Sequence, residues 1–526
     1  MKITLVAPTP PDVAAFGVRA LSAYLKQHGH SVKSIFLPGG VEKYKDSNGF
    51  TYNYQEHIIR KVIELCQDAD LIGVSFMSHY LDRAKQLCQA LKANTTVPVI
   101  VGGIHPTVQP EECLEFADIV CRGEGEQALL EIIQRMERHE SYYDIENLYF
   151  RQDGNTIRNP LRPLQQDLDA LPFFDYEMDG QYIFDNLRDD IVPMNKEMLK
   201  NCFPLEPHVE GSFSDSYHRT LSYKTMTTRG CPHHCTFCAE KTLADMYSGQ
   251  RYLRKRGVNN IITELLWVKK ELPFVQSIFL FDDTFLSRTT DEIIEFAKEY
   301  KKQIAMPFHI QASPGTVTAK KIEVLIDAGL AFVEMGIQSM SNTGKDLYKR
   351  KTTEKSILDA AAIFHSFRKQ IYPPCYHVIL DNPWETSEDV LETLDTILKL
   401  PRPFWLKRSS LVLFPGTELN SKAKAEGLLK TKEDERREIY CKHLHTPKGS
   451  YVNFLMYLAG FSYFPRFIIK LLKTRFLVRL FDRNSLSRCY IGLYNSGENL
   501  IIVWKGIRSL FKGDFARIYK FFHRVR

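Results

Sequence analysis

The sequence lacks the features that mark small secreted proteins and membrane-spanning proteins. Its eleven cysteines are spread over 526 residues, too sparsely for a disulfide scaffold, and this usage fits a reducing compartment. The opening residues MKITLVAPTP show no basic segment followed by an apolar one, so they do not resemble a secretory signal. Solenoid-type repeats and long low-complexity tracts are also missing. We therefore expect a cytoplasmic globular protein, whose length predicts two or three domains.

Acidic residues are scarce in only one part of the chain. Residues 442–526 contain 16 Lys and Arg residues against 3 Asp and Glu residues, a net charge of +13. Because the whole chain has a net charge of only +6, residues 1–441 are mildly acidic. The basic character of the protein therefore belongs to its C-terminal end.

Strand-like and helix-like segments alternate in residues 1–140. This alternation predicts parallel strands joined by crossover helices, in an α/β fold. We predict a doubly wound, Rossmann-like domain, whose ligand crevice lies beyond the carboxyl ends of its strands. The predicted strands are 3–7, 32–36, 71–75, 97–101 and 119–121, and the predicted helices are 18–28, 81–91 and 127–136. Residues 141–220 have weak periodicity and many Asp, Asn and Pro residues, and are predicted to be a linker or cap.

The alternation resumes in residues 221–420. Six strand–helix units predict a partial (β/α)6 barrel of the TIM type, which places its working residues at the carboxyl ends of the strands. The predicted strands lie near 224–228, 277–281, 308–311, 331–336, 376–380 and 405–413, with helices near 261–271, 291–302, 319–327, 354–367 and 388–398. Residues 421–526 are predicted to form a basic, mostly helical C-terminal region.

Three of the cysteines have a spacing that carries chemistry. Cys231, Cys235 and Cys238 form a CxxxCxxC pattern directly after the first predicted barrel strand. A 4Fe–4S cluster normally takes four protein ligands, so three thiolates leave one iron able to bind a small molecule. The alternative is a zinc site that uses Cys231, Cys235 and one of the intervening histidines. Closed zinc sites usually recruit a second, distant ligand pair, and the sequence shows no such pair.

The cysteine spacing, with Phe237 just before the third cysteine, resembles the radical S-adenosylmethionine (SAM) superfamily. That resemblance implies a 4Fe–4S cluster whose open iron binds SAM and whose electron cleaves it to a 5'-deoxyadenosyl radical. Later segments continue the resemblance: 281–285 after the second strand, 334–339 in the fourth, the turn 382–386, and 414–419 after the sixth. It implies that SAM is positioned by Asp282, Asp283, Glu334, Gln338 and Ser339. Two departures are Asp-Asp in place of the usual Gly-Gly-Glu, and Trp384 in place of a glycine.

The N-terminal domain carries a second resemblance. Ser75 ends the third predicted strand, and Gly102, Gly103 and His105 follow the fourth. From the residues alone, the glycine pair could simply form a tight turn and His105 a hydrogen-bonded loop histidine. The spacing resembles the cobalamin-binding domain found ahead of many radical SAM enzymes, which implies a cobalamin cofactor. The Asp-x-His-x-x-Gly loop of classical cobalamin proteins is missing, so no axial histidine is predicted there.

The basic C-terminal region admits three interpretations. Residues 451–465 are apolar but too short to cross a bilayer, and the amphipathic stretch that follows suits an anionic membrane surface. Alternatively, the region packs its apolar face on the barrel and leaves a basic face in solvent. Nucleic-acid binding is the third interpretation, because aromatic residues alternate with basic ones, but no known module supports it and nucleic acid is an unlikely partner. The aromatic residues concerned are Tyr490, Tyr494, Trp504 and Tyr519.

Together these features predict a cobalamin-dependent radical SAM methyltransferase acting on an unactivated carbon of a small molecule or lipid. A non-methylating cyclase, ring-rearranging or carbon-linking enzyme of the same architecture is the first alternative, and a non-catalytic cobalamin or redox sensor is the second. A transfer-RNA methylthiotransferase is disfavoured, because the N-terminal cysteines lack the second trio of such enzymes. The predicted partners are the substrate, an external electron donor such as flavodoxin or ferredoxin, and a membrane surface. The sequence identifies no acid or base that acts on the substrate.

Overall fold

The computed structural model describes residues 1–39, 41–46, 49–152, 154–206, 220–441 and 448–511. The described chain forms two compact units. The first unit contains residues from 1–204, together with 228–264 and 413–441. The second contains residues from 205–227, together with 265–412 and the described residues after 447.

The first unit is built on a nine-stranded sheet with the order β11-β10-β2-β1-β5-β6-β7-β8-β9. Its strands are β1 (Lys2–Ala7), β2 (Ser31–Phe36), β5 (Leu71–Ser75), β6 (Val99–Gly102), β7 (Ile119–Cys121), β8 (Leu148–Gln152), β9 (Asn155–Arg158), β10 (Gln181–Asp185) and β11 (Asp190–Pro193), and a separate hairpin joins β3 (Glu42–Asp46) to β4 (Gly49–Asn53). The helices are α1 (Phe16–Gln27), α2 (Glu56–Cys66), α3 (Leu81–Asn94), α4 (Ile104–Val108), α5 (Pro110–Cys113), α6 (Glu126–Glu137) and α7 (Lys196–Cys202).

The central strands of this sheet are parallel, as predicted. Strands β2, β1, β5, β6 and β7 run parallel and their apolar residues are buried, and β10 pairs parallel with β2 but is only partly buried. Nearly continuous apolar strands are expected where helices cover both faces of a parallel sheet. The segment predicted to be a linker or cap supplies β8 to β11 at the two edges of the sheet. The sequence concealed these strands because edge strands are half-exposed and short.

The second unit contains a seven-stranded sheet with the order β12-β13-β16-β17-β18-β19-β20. Its strands are β12 (Leu205–Glu206), β13 (Thr220–Thr225), β16 (Ser277–Leu280), β17 (Phe308–Ala312), β18 (Leu330–Gln338), β19 (Cys375–Leu380) and β20 (Trp405–Ser410), and a two-stranded ladder in the first unit pairs β14 (Thr228–Arg229) with β15 (Arg254–Lys255). The helices of this part of the chain are α8 (Ala239–Met246), α9 (Val258–Glu271), α10 (Thr290–Gln303), α11 (Ala319–Ala328), α12 (Asn342–Tyr348), α13 (Glu354–Ser366) and α14 (Ser387–Lys399).

Six parallel strands from β13 to β20 alternate with helices, so the predicted partial barrel is confirmed. The helix starts follow local chemistry. Thr289 and Thr386 each form a capping box, in which the threonine hydroxyl and a carboxylate three residues later satisfy backbone N–H groups at the helix start. These caps fix the helices that carry the chain back from one carboxyl end to the next strand.

The C-terminal part is helical, as predicted. Helices α15 (Glu418–Ala425) and α16 (Lys432–Cys441) belong to the first unit, whereas α17 (Tyr451–Ala459), α18 (Arg466–Leu472), α19 (Arg475–Phe481) and α20 (Ser487–Phe511) belong to the second. Helix α17 packs against α14 of the barrel. Across the part of the chain that the structure describes, no helix combines the length and the hydropathy that a bilayer crossing needs.

The aromatic residues behind the nucleic-acid interpretation are partly used inside the fold. Tyr490 is buried beside Tyr451, and the ring of Tyr494 lies 4.8 Å from that of Tyr457. The guanidinium of Arg408 stacks on Tyr457 at 4.4 Å from the ring centre. The Trp504 side chain and Tyr519 lie outside the described residues. The described aromatic rings therefore hold α17 and α20 together rather than offering a stacking surface for bases.

Candidate functional site

The three cysteines lie on a loop that leads from strand β14 into helix α8. Cys235 is buried, whereas Cys231 and Cys238 are partly exposed, as is Phe237 between them. Cys238 is the N-cap of α8, and its backbone N–H donates to the Cys235 carbonyl at 3.0 Å. The positive end of a helix dipole favours anionic sulfur at that position. Three thiols on one short loop fit the donor set of a 4Fe–4S cluster with one open iron.

A single metal ion would need a different arrangement. Within the described ranges, no three His, Cys, Asp or Glu side chains are grouped as they would be around one ion. The thiolates that hold a cubane cluster each bind a different iron, so they do not need to converge on one point. The arrangement of the three thiols therefore suits a cluster better than one ion.

Salt bridges join the start of the cysteine loop to the N-terminal sheet. Arg229 contacts Glu124 at 3.0 Å and Glu126 at 2.6 Å, and Arg254, its partner across the β14–β15 ladder, contacts Glu124 at 2.9 Å. Glu124 lies in the turn that follows β7, and Glu126 is the first residue of α6, directly after that turn. We call Glu124, Glu126, Arg229 and Arg254 the arginine–glutamate clamp. It fixes the backbone two residues before Cys231 to the carboxyl end of the N-terminal sheet.

The electrostatics of the clamp favour its charged form. Burial by itself raises the pKa of Glu126, but the charge and hydrogen bond of Arg229 outweigh burial and leave this pKa below its ordinary value. Burial likewise lowers the pKa of Arg229, and the two glutamates more than reverse that effect. Arg229 donates one N–H group to each of the two carboxylates, and hydrogen bonds between charged groups are among the stronger polar contacts in proteins.

A second anchor holds the other end of the same segment. Tyr247 follows α8 directly, is 3% exposed, and seats its hydroxyl over Gly123, the residue before Glu124. A Cβ atom built on Gly123 would lie 1.8 Å from the Tyr247 hydroxyl oxygen, and the φ angle of Gly123 is +74°. Burial raises the pKa of this hydroxyl to about 12. The cysteine loop and α8 are thus fastened to the same turn at both ends.

We expect Gly123→Ala to destabilise the first unit, because the added methyl group collides with Tyr247 and the backbone angle is left-handed. The combined effect should be about 2–4 kcal/mol in urea-induced unfolding of the cofactor-free protein. Gly154→Ala is the matched control, because Gly154 has a φ angle of +79° and nothing within 4 Å of the added carbon. It should show only the backbone effect, about 1 kcal/mol. Equal losses in the two variants would exclude a contribution from Tyr247.

The loop after β20 closes on the cysteine segment from another side. The Leu419 backbone N–H donates to the Thr236 carbonyl at 3.1 Å, and the Thr242 hydroxyl donates to the Gly416 carbonyl at 2.7 Å. Gly416 has a φ angle of +80°, and a Cβ atom there would lie 2.5 Å from that of Val108 at the end of α4. The predicted Pro-Gly-Thr turn therefore packs on both the cysteine segment and the N-terminal domain.

The predicted cobalamin contacts surround the carboxyl ends of β5 and β6. The Ser75 hydroxyl lies between two glycines, 3.3 Å from the Cβ position of Gly17 and 3.2 Å from that of Gly103. Gly103 has a φ angle of +100°, and its Cβ would lie 2.6 Å from the Phe76 carbonyl, so packing explains this glycine. At Gly102 a Cβ would make only ordinary contacts, at 3.8 Å from Cys121. Packing within the protein does not require a glycine at position 102. The predicted contact of Gly102 with a ligand therefore stays a prediction, and its place at the carboxyl end of β6 is compatible with it.

His105 is enclosed by protein. Its ring is fully buried and stacks on Phe76, Nδ1 lies 2.9 Å from the Ser78 hydroxyl, and Nε2 lies 3.4 Å from Glu112. A hydrogen bond from His105 holds the pKa of Glu112 below its ordinary value. In this arrangement both ring nitrogens face protein groups, as in a histidine that fixes the turn after β6.

Of the two aspartates after β16, one is internal and one faces solvent. Asp282 is fully buried, and its two carboxylate oxygens accept from the Thr227 backbone N–H and hydroxyl. Arg288 donates to the Thr227 carbonyl at 3.0 Å. Asp283 is exposed. The structure thus gives Asp282 the task of fixing the chain between β13 and β14, while Asp283 is the member of the pair with a side chain that could meet a ligand.

Glu334 and Gln338 lie on β18, which ends in an irregular backbone. Gln338 has a φ angle of +71° at a register shift between β18 and β19. Such an angle is rare outside glycine and often marks a functional position. Burial raises the pKa of Glu334, partly countered by the charge of Lys407. Glu334 thus lies in the middle of β18 and Gln338 at its carboxyl end, and their contact with SAM stays a prediction.

Ser339 points into a buried network of hydroxyl groups. Its hydroxyl donates to Glu385 at 2.6 Å and lies 3.1 Å from that of Ser341 and 3.3 Å from that of Thr393. Gly344 packs on this pair so closely that a Cβ there would meet the Ser339 hydroxyl at 2.2 Å. These contacts connect the end of β18 to the turn 382–386, so Ser339 positions that turn in the structure.

Sequence reasoning missed several polar residues that the strand register places on one face of the second sheet. The register aligns Gln311 with Glu334 and His377 with Lys407, and the Glu334 carboxylate lies 3.5 Å from both Gln311 Nε2 and His377 Nε2. Lys224 lies on the same face beside Phe279. The signal was present as polar residues at every second position of otherwise apolar strands. This face therefore brings a carboxylate, an imidazole, an amide and two ammonium groups together on one sheet.

His309 lies deeper on the same face, between Phe279 and Phe332, and burial lowers its pKa to about 3. The unfolded state accepts a proton near the ordinary value of 6.5, whereas the folded state does not. The stabilisation of the folded protein that depends on a neutral His309 is therefore fully present above pH 6.5, and it is lost as the pH falls from 6.5 toward about 3. We expect His309→Phe to remove about 1.4 kcal/mol of acid destabilisation per pH unit below about 6.5 in chemical unfolding. The exposed His28→Gln should leave the pH profile unchanged, and an unchanged profile in His309→Phe would contradict the assignment.

A Rossmann-like domain with a three-cysteine loop fastened beside its strand β7, together with a partial parallel barrel, defines a cofactor-dependent α/β enzyme with an iron–sulfur centre. Comparison with known families agrees with this class. The B12 binding domain model matches residues 3–133, and the radical SAM superfamily model matches residues 225–397. The chain therefore carries a B12-binding domain ahead of a radical SAM domain, and its cofactors are a 4Fe–4S cluster, SAM and cobalamin.

Individual relatives are distant but cover much of the chain. An uncharacterized methyltransferase of Pyrococcus horikoshii is 25% identical over 442 residues, which is 82% of this chain and 85% of the relative. An anaerobic magnesium-protoporphyrin IX monomethyl ester cyclase of Rubrivivax gelatinosus is 23% identical over 356 residues, which is 65% of this chain but only 54% of the relative. The radical SAM methyltransferase TsrM of Kitasatospora setae, solved with a tryptophan substrate and a SAM analog, has a TM-score of 0.60 at 15% identity, over 82% of this chain and 77% of TsrM. That likeness supports the fold.

Proposed function

We propose that the protein is a cobalamin-dependent radical SAM methyltransferase that methylates an unactivated carbon of a small molecule or lipid. The arginine–glutamate clamp is the observation that carries this proposal. It ties the cysteine loop to the segment after β7, within the same compact unit as the B12-binding sheet. A cluster loop fastened to the carboxyl end of that sheet suits two cofactors that act in one reaction, because reacting groups must be held in fixed geometry.

The residues divide into holding and positioning roles in this proposal. Cys231, Cys235 and Cys238 hold the cluster, and Asp283, Glu334 and Gln338 contact SAM. Asp282 and Ser339 act one step away, by fixing the chain after β13 and the turn after β19. When bound, the cluster supplies the electron that cleaves SAM, and cobalamin supplies the methyl-transfer chemistry. An external donor such as flavodoxin or ferredoxin would deliver the electron.

Anaerobic reconstitution tests the proposal. The full-length protein is loaded with iron, sulfide and hydroxocobalamin, then given dithionite and SAM. We expect 5'-deoxyadenosine by chromatography and a cobalamin absorption spectrum that survives desalting. Product formation is followed in a cell extract with SAM that carries a deuterated methyl group, and a product that carries CD3 in place of one hydrogen of its precursor supports methyl transfer. A fully loaded cluster that releases no 5'-deoxyadenosine, with the extract or without it, would contradict the proposal.

A non-methylating cyclase is the second candidate. The match to the magnesium-protoporphyrin ester cyclase over 65% of this chain favours keeping it. The two candidates differ in the fate of SAM, because a methyltransferase releases S-adenosylhomocysteine together with 5'-deoxyadenosine, whereas a cyclase releases only the latter. Equal amounts of both products in the extract would support methyl transfer, and 5'-deoxyadenosine alone would support the cyclase.

A further inference from the structure

Two short helices at the C-terminal end of the second unit hold large apolar side chains in solvent. Helices α18 and α19 contain seven residues each. On them, Phe467 is 72% exposed, Leu471 62%, Phe476 74% and Leu480 41%. Single exposed apolar residues are common in soluble proteins, but four of this size on two short helices that follow one another in the chain need an explanation.

The exposed residues lie on the outer sides of the helices. In α18 the one buried residue is Ile469, two positions from both Phe467 and Leu471. Two positions correspond to about 200° of rotation in an α-helix, so these two side chains project away from the buried face. Helix α19 repeats the arrangement with Val478 buried between Phe476 and Leu480. We call Phe467, Leu471, Phe476 and Leu480 the outer apolar face.

Cations flank this face, and they divide into two groups. Arg466 donates to the Leu400 carbonyl, and Lys473 contacts Asp395 on α14, so these two fasten the helices to the barrel. Lys470, Arg475 and Arg479 are exposed beside the outer apolar face. Residues 466–481 contain no Asp or Glu at all. The surface of α18 and α19 therefore combines apolar side chains with positive charges only.

We propose that the outer apolar face and its flanking cations dock the enzyme on an anionic phospholipid surface. Charge complementarity favours lipid, because headgroups attract Lys and Arg while the acyl boundary, about 5–10 Å deep, accepts Phe and Leu. Seven-residue helices are far shorter than the roughly 20 residues that span a bilayer, so they lie in the plane of the interface. The inference extends the proposed function by naming the surface at which the enzyme meets lipid, and docking needs none of the cofactors.

Flotation of the full-length protein with phospholipid vesicles tests the docking directly. We expect binding to vesicles of phosphatidylcholine with about a third phosphatidylserine, weaker binding as salt increases, and little binding to phosphatidylcholine alone. Phe467→Ser with Phe476→Ser should weaken binding by about tenfold or more. Lys470→Glu with Arg475→Glu should weaken binding similarly. The matched control is Leu187→Ser in the first unit, where Leu187 is 71% exposed, and it should bind like the wild type.

Two results would overturn the proposal. One is the absence of flotation with the anionic vesicles at low salt, and the other is equal binding by the wild type and the Phe467→Ser/Phe476→Ser variant. Light scattering of the same samples identifies another occupant, because a wild-type dimer that the variant loses would assign the face to a second copy of the chain. Unchanged melting curves of the variants show that the substituted residues are not needed for folding.

Discussion

Cys235→Ala is expected to abolish SAM cleavage by the reconstituted protein. Cys235 is the buried member of the cysteine trio, and its carbonyl also accepts the hydrogen bond that starts helix α8. Removing one of three thiolates leaves a second iron without a protein ligand, and such clusters are lost or converted. We expect iron content and the absorbance of the cluster to fall to a small fraction of the wild-type values, and 5'-deoxyadenosine to fall below detection.

The matched control for that experiment is Cys202→Ala. Cys202 is partly exposed at the end of α7, and its thiol donates to the Met198 carbonyl one turn earlier in the same helix. This variant should keep the full iron content and the full rate of 5'-deoxyadenosine release. Cleavage by Cys235→Ala at even a tenth of the wild-type rate would remove Cys235 from the proposed ligand set.

Arg229→Ala is expected to destabilise the first unit strongly and to disturb both cofactor sites. The change leaves Glu126 buried without its main counter-charge, since the Glu126 side chain is 10% exposed and that of Arg229 27%. Breaking a buried ion pair costs about 3–5 kcal/mol, and partial exposure of Arg229 reduces this to about 2–4 kcal/mol. We expect a lower unfolding midpoint of the cofactor-free protein and loss of both iron and cobalamin after reconstitution.

An exposed ion pair in the same unit provides the comparison for Arg229→Ala. Arg158 and Glu111 are 55% and 56% exposed at a separation of 3.1 Å. Arg158→Ala should change the unfolding free energy by less than about 1 kcal/mol. A double-mutant cycle with Glu126→Gln then measures the coupling, which should exceed about 1 kcal/mol for Arg229 and Glu126. If Arg229→Ala kept wild-type cobalamin and iron occupancy, the clamp would lose its place in the proposed function.

The sequence predicted the strands and helices of both sheets well where the local pattern was strong. Predicted strands 71–75 and 119–121 match β5 and β7 residue for residue, because buried parallel strands are almost wholly apolar. The strands β8 to β11, which are the two outermost strands on each side of the sheet, were missed, since their partly exposed residues carry mixed polarity. Periodicity reports burial, and edge strands are buried too little to give a clear signal.

The sequence identified site residues well where their role depends on neighbours in the chain, and poorly where it depends on contacts made by folding. The cysteine trio depends on spacing within eight residues, so the sequence could identify it. Ser339 and Asp282 were predicted to meet SAM, but the fold directs them toward Glu385 and Thr227, which lie 46 and 55 residues away along the chain. Hydroxyl and carboxyl groups are equally able to bind ligand or protein, and the sequence does not contain the distance that decides between them.

The C-terminal helices make the same distinction on a larger scale. A basic and apolar stretch after residue 465 was evident, and it left membrane docking and packing on the barrel equally open. In the structure, Ile469 and Val478 pack inward, whereas Phe467 and Phe476 are exposed to solvent. The break between α18 and α19 and their attachment through Lys473 set the direction of each face.

By itself, the sequence identified the cofactors of this protein, because the spacing of the three cysteines is a local property of the chain. It also determined the α/β architecture, because alternating apolar periodicity is a local property of the chain. Only the tertiary structure decided which polar residues serve the fold and which face a ligand. It alone revealed the clamp, since Glu126 and Arg229 are 103 residues apart and their pairing exists only when the two segments meet. Charges so far apart along the chain attract one another strongly only after folding excludes the water between them.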